Sequence, residues 1–179
     1  RLWPKSSNNE PKQFINFGGW TLFEKTLKRI KGSIFDYPII STNVKYLKKI
    51  KFYLKKNKFN KYRIVLEPAK RNTGPAVLSA ALVRDIPNKQ PLLFLPSDHL
   101  LEKNNVFNKN LIKNSKYLNN KNIFLFGIKP DHPSNEYGYL SVKKSNNHLI
   151  KIVKFIEKPS VKKAKLLIKT KGLWNSGMF

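Results

Sequence analysis

The run "LFLPSDH" places Asp98 directly after an apolar segment, where a carboxylate can project into a crevice without being entombed. Such an oxygen suits a hard cation such as Mg²⁺, which completes its shell with waters and substrate phosphates. The same position suits the cap of a following helix, and on these residues both readings stand. His99 beside it is the weaker candidate, because a lone histidine is more often a satisfied structural residue.

Three further stretches have residue types that could meet a phosphorylated ligand. In "LEPAKRNTGPAVLSA" a turn containing Gly and Asn precedes a helix, so backbone N–H groups and side-chain amides could read a base edge or take a phosphate. The plainer alternative is a helix entry with Asn72 or Thr73 as its cap. In "FIEKPS", Pro159 ends a strand at once and lets Glu157 and Lys158 be presented together at its tip. A carboxylate there suits sugar hydroxyls and an ammonium suits phosphate, although the pair could equally be a surface ion pair of little energy. At the start, "RLWPKSSNNEPKQF" sets Arg1 and Lys12 around a loop stiffened by Pro4 and Pro11. Two cations so placed could neutralise a triphosphate during phosphoryl transfer.

The elements that must position these residues follow from periodicity. Residues 37–42 read as a buried strand, and Val44, Leu47, Ile50 and Leu54 then recur at near-helical spacing with lysines on the other face. Residues 62–68 read as a strand, and a helix with Pro75 in its first turn follows. The apolar run 91–99, a helix over 104–118 and a strand over 122–128 continue the alternation. After Pro133, residues 136–142 and 149–158 read as paired strands, and a helix starts at Ser160 and closes at Gly172. Alternating strands and helices predict an α/β fold whose sheet is mostly parallel, with a late antiparallel excursion. In such sheets ligands bind beyond the carboxyl ends of the strands, and "LEP", "LPSD" and "IEKP" are three such ends. Absence of a repeat or linker makes residues 1–179 one expected domain.

Composition narrows the function classes. With 40% hydrophobic and 12% aromatic residues the chain has the makings of a folded core. It has no cysteine, which excludes disulfides, thiolate metal sites and cysteine nucleophiles and agrees with a reducing, cytoplasmic setting. No apolar run reaches membrane-spanning length, so no membrane partner is expected. A formal charge of +26 would attract polyanions. Lysine supplies most of it beside abundant asparagine, a bias that an AT-rich genome produces without functional demand, so nucleic acid is the less favoured partner.

Taken together and in order, "RLWP", "PKQF", "LEPAKRNTGPA", "LPSDH", "YGYL", "FIEKP" and "WNSGMF" resemble the mannose-1-phosphate guanylyltransferases. This branch of the sugar nucleotidyltransferases includes the bifunctional isomerase/guanylyltransferases of bacterial polysaccharide synthesis. The resemblance implies a Rossmann-like, GT-A-like α/β fold with a mixed, mostly parallel sheet flanked by helices. It implies GTP and mannose 1-phosphate as substrates, GDP-mannose and pyrophosphate as products, and Mg²⁺ as cofactor. Arg1 and Lys12 would then stabilise the triphosphate in the transition state. Glu67, Arg71, Asn72, Thr73 and Gly74 would line the nucleotide pocket, and Asp98 would bind the metal. Gly138, Glu157 and Asn175 would hold the sugar, with Lys158 on its phosphate. A homo-oligomer is left open.

The sequence departs from that pattern at several positions. Ser7 stands at a usual arginine, Gly74 at a usual alanine, and Asn135 at the usual threonine before "YGY". The resemblance also places a glycine-rich strand-turn before Arg1 and a second metal-binding aspartate beyond "NSGMF". The expectation is therefore a domain truncated at both ends and inactive alone. The competing readings are a UTP- or dTTP-dependent sugar nucleotidyltransferase, a basic nucleic-acid-binding module built on "KYLKKIKFYLKKNKFNKYR", and a decayed gene remnant.

Overall fold

In the computed structural model, which describes residues 11–69, 72–83, 86–87, 89–119, 121–143 and 149–179, the first helix begins where two side chains cap it reciprocally. The Thr21 hydroxyl accepts from the Glu24 amide at 3.1 Å, and the Glu24 carboxylate accepts from the Thr21 amide at 3.0 Å. This capping box opens α1 (Leu22–Arg29). A hairpin leads into it: β1 (Asn16–Phe17) and β2 (Trp20–Thr21) are joined by Gly18 and Gly19, whose φ values of 63° and 83° only glycine adopts freely. Ahead of the hairpin, a single 3₁₀ turn (Lys12–Phe14) buries Phe14 edge-on to Phe23 of α1, ring centroids 6.1 Å apart.

The chain divides into two compact units, Arg1–Asn120 and Lys121–Phe179. In the first, β3 (Ile39–Asn43) and β4 (Arg63–Glu67) pair in parallel, with Asn43 opposite Glu67 at their carboxyl ends. Helix α2 (Leu47–Lys56) connects them, as the strand–helix alternation predicts. Ile50 and Leu54 of α2 enter a core with Phe14, Phe23 and Leu27, and Tyr53 stacks on Phe14. Val44 does not join this stripe: it sits in a preceding 3₁₀ turn (Val44–Tyr46) and is exposed. Helices α3 (Thr73–Ala81) and α4 (Asn104–Ser115) complete the unit, and Pro75 lies in the first turn of α3 as expected. Residues 91–96 form no ladder strand; Pro91 and Pro96 at their ends have no N–H to donate.

Among its described residues the second unit is a four-stranded antiparallel sheet backed by one helix. Its strands are β5 (Gly127–Ile128), β6 (Tyr139–Val142), β7 (Ile152–Ile156) and β8 (Leu173–Asn175), in the order β5–β8–β6–β7. The expected pairing of the two strands after Pro133 is the β6–β7 ladder, in which Tyr139 faces Ile156. The strand expected over 122–128 is regular only at β5, although Phe126 exchanges backbone bonds with Met178 and Ser176. Helix α5 (Val161–Lys169) starts on Ser160, as its sequence predicts. It ends in a Schellman motif: Gly172 N–H donates to Leu167 O at 2.8 Å, Lys171 N–H to Ile168 O at 2.9 Å, and Lys171 takes φ 61°. Tyr139, Ala164 and Leu167 form the core between helix and sheet. The architecture is thus mixed α/β.

Candidate functional site

In the first unit the structure brings together two residues far apart in sequence. Phe14 anchors the 3₁₀ turn in the core, and Lys12 at its start reaches out to form an ion pair with Asp98 Oδ2. Asp98 is mostly buried and Lys12 about half exposed. His99 Nε2 stands 4.0 Å from the other carboxylate oxygen. Burial holds the His99 imidazole below its ordinary pKa; Asp98 opposes that shift while Lys12 and Arg29 add to it. Asp98 does not cap α4, whose N-cap position is Lys103, so of the two sequence readings the cap is the one excluded. Arg29, unremarked in the sequence, ends α1 fully buried and donates to His99 O at 3.0 Å and to Asn104 Oδ1 at 3.2 Å.

The residues expected on the nucleotide side lie at and beyond the end of β4. Glu67 accepts from the Ser41 hydroxyl through Oε1, and its carbonyl accepts from Asn43 Nδ2 at 3.1 Å. Ser41 and Asn43 belong to the polar end of β3, a fourth strand end whose "STN" the sequence displays as openly as "LEP". Asn72 takes the N-cap position of α3, but its side chain makes no cap bond, and its φ of 65° with ψ −168° is a conformation that side-chain-bearing residues rarely adopt. Thr73 and Gly74 form the first turn of α3; a Cβ at Gly74 would meet open space, so the departure from alanine is sterically silent. Arg71 and Arg1 lie outside the described residues.

In the second unit the four residues expected on the sugar side, Gly138, Glu157, Lys158 and Asn175, gather at one end of the sheet. Gly138 O accepts from Asn175 N–H at 2.8 Å, and Asn175 Oδ1 accepts from Gly177 N–H at 3.2 Å. A Cβ on Gly138 would stand 2.9 Å from Glu157 Oε2 and 2.8 Å from Phe155 Cζ, so the absence of a side chain makes room for that carboxylate. Glu157 and Lys158 follow β7 directly, both exposed, with Nζ 3.9 Å from Oε1 and Lys158 at φ 40° before Pro159. The strand break thus presents both charges at the tip. Trp174, beside Asn175, packs against His132 and Tyr137 with centroids at 5.0 and 4.8 Å, an aromatic flank not singled out from the sequence.

The sequence as a whole matches a known family. A model of the nucleotidyl transferases covers residues 1–179. The chain belongs to the nucleotidyl transferase family. As a nucleotidyl transferase it is 34% identical, along its whole length, to alginate biosynthesis protein AlgA of Pseudomonas fluorescens, of which it covers 38%. It is likewise 34% identical to a mannose-1-phosphate guanylyltransferase of Escherichia coli, of which it covers 41%. Among solved structures, a Helicobacter pylori protein described as a mannose-6-phosphate isomerase superposes with a TM-score of 0.82 at 33% identity, over 94% of this chain and 64% of that one. A Thermus thermophilus protein described as a mannose-1-phosphate geranyltransferase gives 0.81 at 28% identity, over 99% and 52%. The nucleotidyl transferase chain therefore spans about two fifths of the length of these curated relatives.

Whether the residues suit Mg²⁺ is a matter of donor chemistry. Among the described residues no three His, Cys, Asp or Glu side chains gather, so they form no all-protein cage. Asp98 offers one carboxylate, which fits the Mg²⁺ mode in which substrate phosphates and water supply the remaining oxygens.

Proposed function

We propose that this chain carries substrate-binding and catalytic parts of a mannose-1-phosphate guanylyltransferase, joining GTP and mannose 1-phosphate to give GDP-mannose and pyrophosphate. The observation that carries the reading is the contact of Lys12 with Asp98: a half-exposed cation held against a mostly buried carboxylate. A phosphate oxygen of the sugar substrate attacks the α-phosphorus in line, and the bond to the departing pyrophosphate breaks. The nucleophile is already anionic, so the protein's task is positioning and charge neutralisation, without a general base. Lys12 turns from Asp98 to the triphosphate and stabilises the charge of the leaving pyrophosphate. Asp98 would hold Mg²⁺, which when bound supplies further neutralisation at the phosphates.

Base choice follows from donors and acceptors. Guanine offers two adjacent donors, N1–H and N2–H, which a carboxylate accepts as a pair; uracil and thymine offer only one N–H between two carbonyls. Glu67, with Ser41 orienting one oxygen, supports a preference for guanine. On the sugar side, Glu157 and Asn175 supply hydrogen bonds to hydroxyls, and Lys158 pairs with the sugar phosphate. The basic-module reading is the weaker one. Tyr46, Tyr53, Phe59 and Tyr62, four of the five aromatics interleaved among the lysines of residues 45–63, are partly buried against the core, and Phe52 is exposed.

The test is pyrophosphate release by the full protein with GTP, UTP and dTTP at a common mannose 1-phosphate concentration. GTP is expected to exceed the others by at least tenfold, and Lys12→Ala to lower kcat far more than it changes KM for mannose 1-phosphate. Equal use of the three nucleotides would refute the base assignment, and an unchanged kcat would remove Lys12 from the mechanism.

A further inference from the structure

Helix α1 holds both halves of the Lys12–Asp98 pair. On one side Phe14, two residues after Lys12, is packed against Phe23 of α1. On the other side Arg29, in the last turn of α1, donates from Nη2 to the carbonyl of His99 and from Nε to Asn104, the first residue of α4. Its two acceptors thus bracket the stretch that follows Asp98, and they lie 70 and 75 residues away in sequence.

This link is expensive. Arg29 is 1% exposed, its acceptors are both neutral, and Nη1 is buried without an acceptor among the described residues. A guanidinium taken out of water against neutral partners is poorly compensated, and an apolar side chain of similar volume would fill the space at lower cost. What the apolar residue could not do is hold the carbonyl of His99 in a fixed place. We infer that Arg29 is a positioning residue for nucleotidyl transfer, fixing the Asp98 turn within reach of Lys12 by gripping the His99 carbonyl and Asn104. The inference rests on the roles of Lys12 and Asp98 proposed above, since misplacing a charge partner by about 1 Å is enough to lower turnover by about a hundredfold.

Two measurements test it. In the full protein, Arg29→Met is expected to lower kcat for nucleotidyl transfer by about ten- to a hundredfold, with KM for the sugar phosphate within about twofold. Arg29→Lys, which restores one donor, is expected to recover part of that loss. Parent kcat in a folded Arg29→Met protein would overturn the inference. The second readout needs no catalysis. These 179 residues hold no cysteine, so Lys12→Cys with Asp98→Cys gives a pair for a short bis-maleimide whose joined peptides are known by their sequences. The yield of that cross-link, read by mass spectrometry of the joined peptides, is expected to fall at least threefold when Arg29→Met is added and by less when Arg29→Lys is added. An equal yield would refute the positioning role. Should the parent protein transfer no nucleotide, the proposed function falls and the cross-link still decides what Arg29 does.

Discussion

Adding one methyl group at Gly138 separates a packing role from a ligand-binding one. The φ of Gly138 lies outside the left-handed region, so alanine meets no backbone objection. Its new Cβ would lie 2.9 Å from Glu157 Oε2, about 0.5 Å inside ordinary contact, and 2.8 and 3.0 Å from two Phe155 ring atoms. Phe155 and Glu157 are both substantially exposed and can swing outward. Relief is therefore easy for the fold, and the lower entropy of an unfolded chain with alanine offsets it by about 0.4–1 kcal/mol. The melting temperature should move by no more than about 3 °C. The carboxylate, however, is pushed by at least the missing half ångström. A hydrogen bond to a charged group is worth about 1.5–3 kcal/mol, so its loss corresponds to about a 10- to 150-fold weakening of sugar phosphate binding. Initial rates of pyrophosphate release, with sugar phosphate varied at saturating GTP and then the reverse, should show KM rising for the first substrate only. An unchanged KM for the sugar phosphate would refute the placement of Glu157. A fall of many degrees in melting temperature with normal KM would make Gly138 a packing residue.

Other outcomes follow from the same structure. Asp98→Asn is expected to flatten the Mg²⁺ dependence of turnover; a titration curve identical to the parent's would leave Asp98 only its ion pair with Lys12. Burial pushes the Glu24 carboxyl up, but the Thr21 amide and hydroxyl, Lys56 and Asn57 together hold it below its ordinary value of 4.5. Its stabilisation is therefore complete above about pH 4.5 and lost as pH falls through the lower folded value. Melting curves of the parent and Glu24→Gln should differ at pH 7 and converge towards pH 3; a constant difference would contradict this. Lys171→Gly relieves the left-handed conformation at the end of α5 and should raise stability by about 1 kcal/mol, or 2–4 °C, by thermal melts.

How much of this was legible in the sequence depended on whether the signal was local. β3, β4, α2, α3, α4 and the β6–β7 pair follow from apolar period and turn residues, and α5 begins on Ser160 as its sequence says. Helix α1 passed unpredicted although "TLFE" carries the capping-box spacing, because the glycines before it and the lysines within it mask the apolar stripe. Residues 91–96 have the apolar content of a strand but their prolines withhold ladder donors. The charge pair, the Glu67–Ser41 bond and the Arg29 grip are contacts between distant segments, and single-residue types do not announce them. An arginine in the last turn of an amphipathic helix reads as a solvated complement to the helix dipole; only packing reveals it as buried.

The resting pair of Lys12 and Asp98 has a consequence for which anions can enter. A lone chloride or orthophosphate that drew Lys12 away would strand Asp98, mostly buried and without its cation. A polyphosphate arriving with its own divalent ion offers each residue a replacement in the same event. Under the proposed function that exchange would leave neither charge orphaned, and the pair would favour a metal-laden nucleotide over the simple salts of its surroundings.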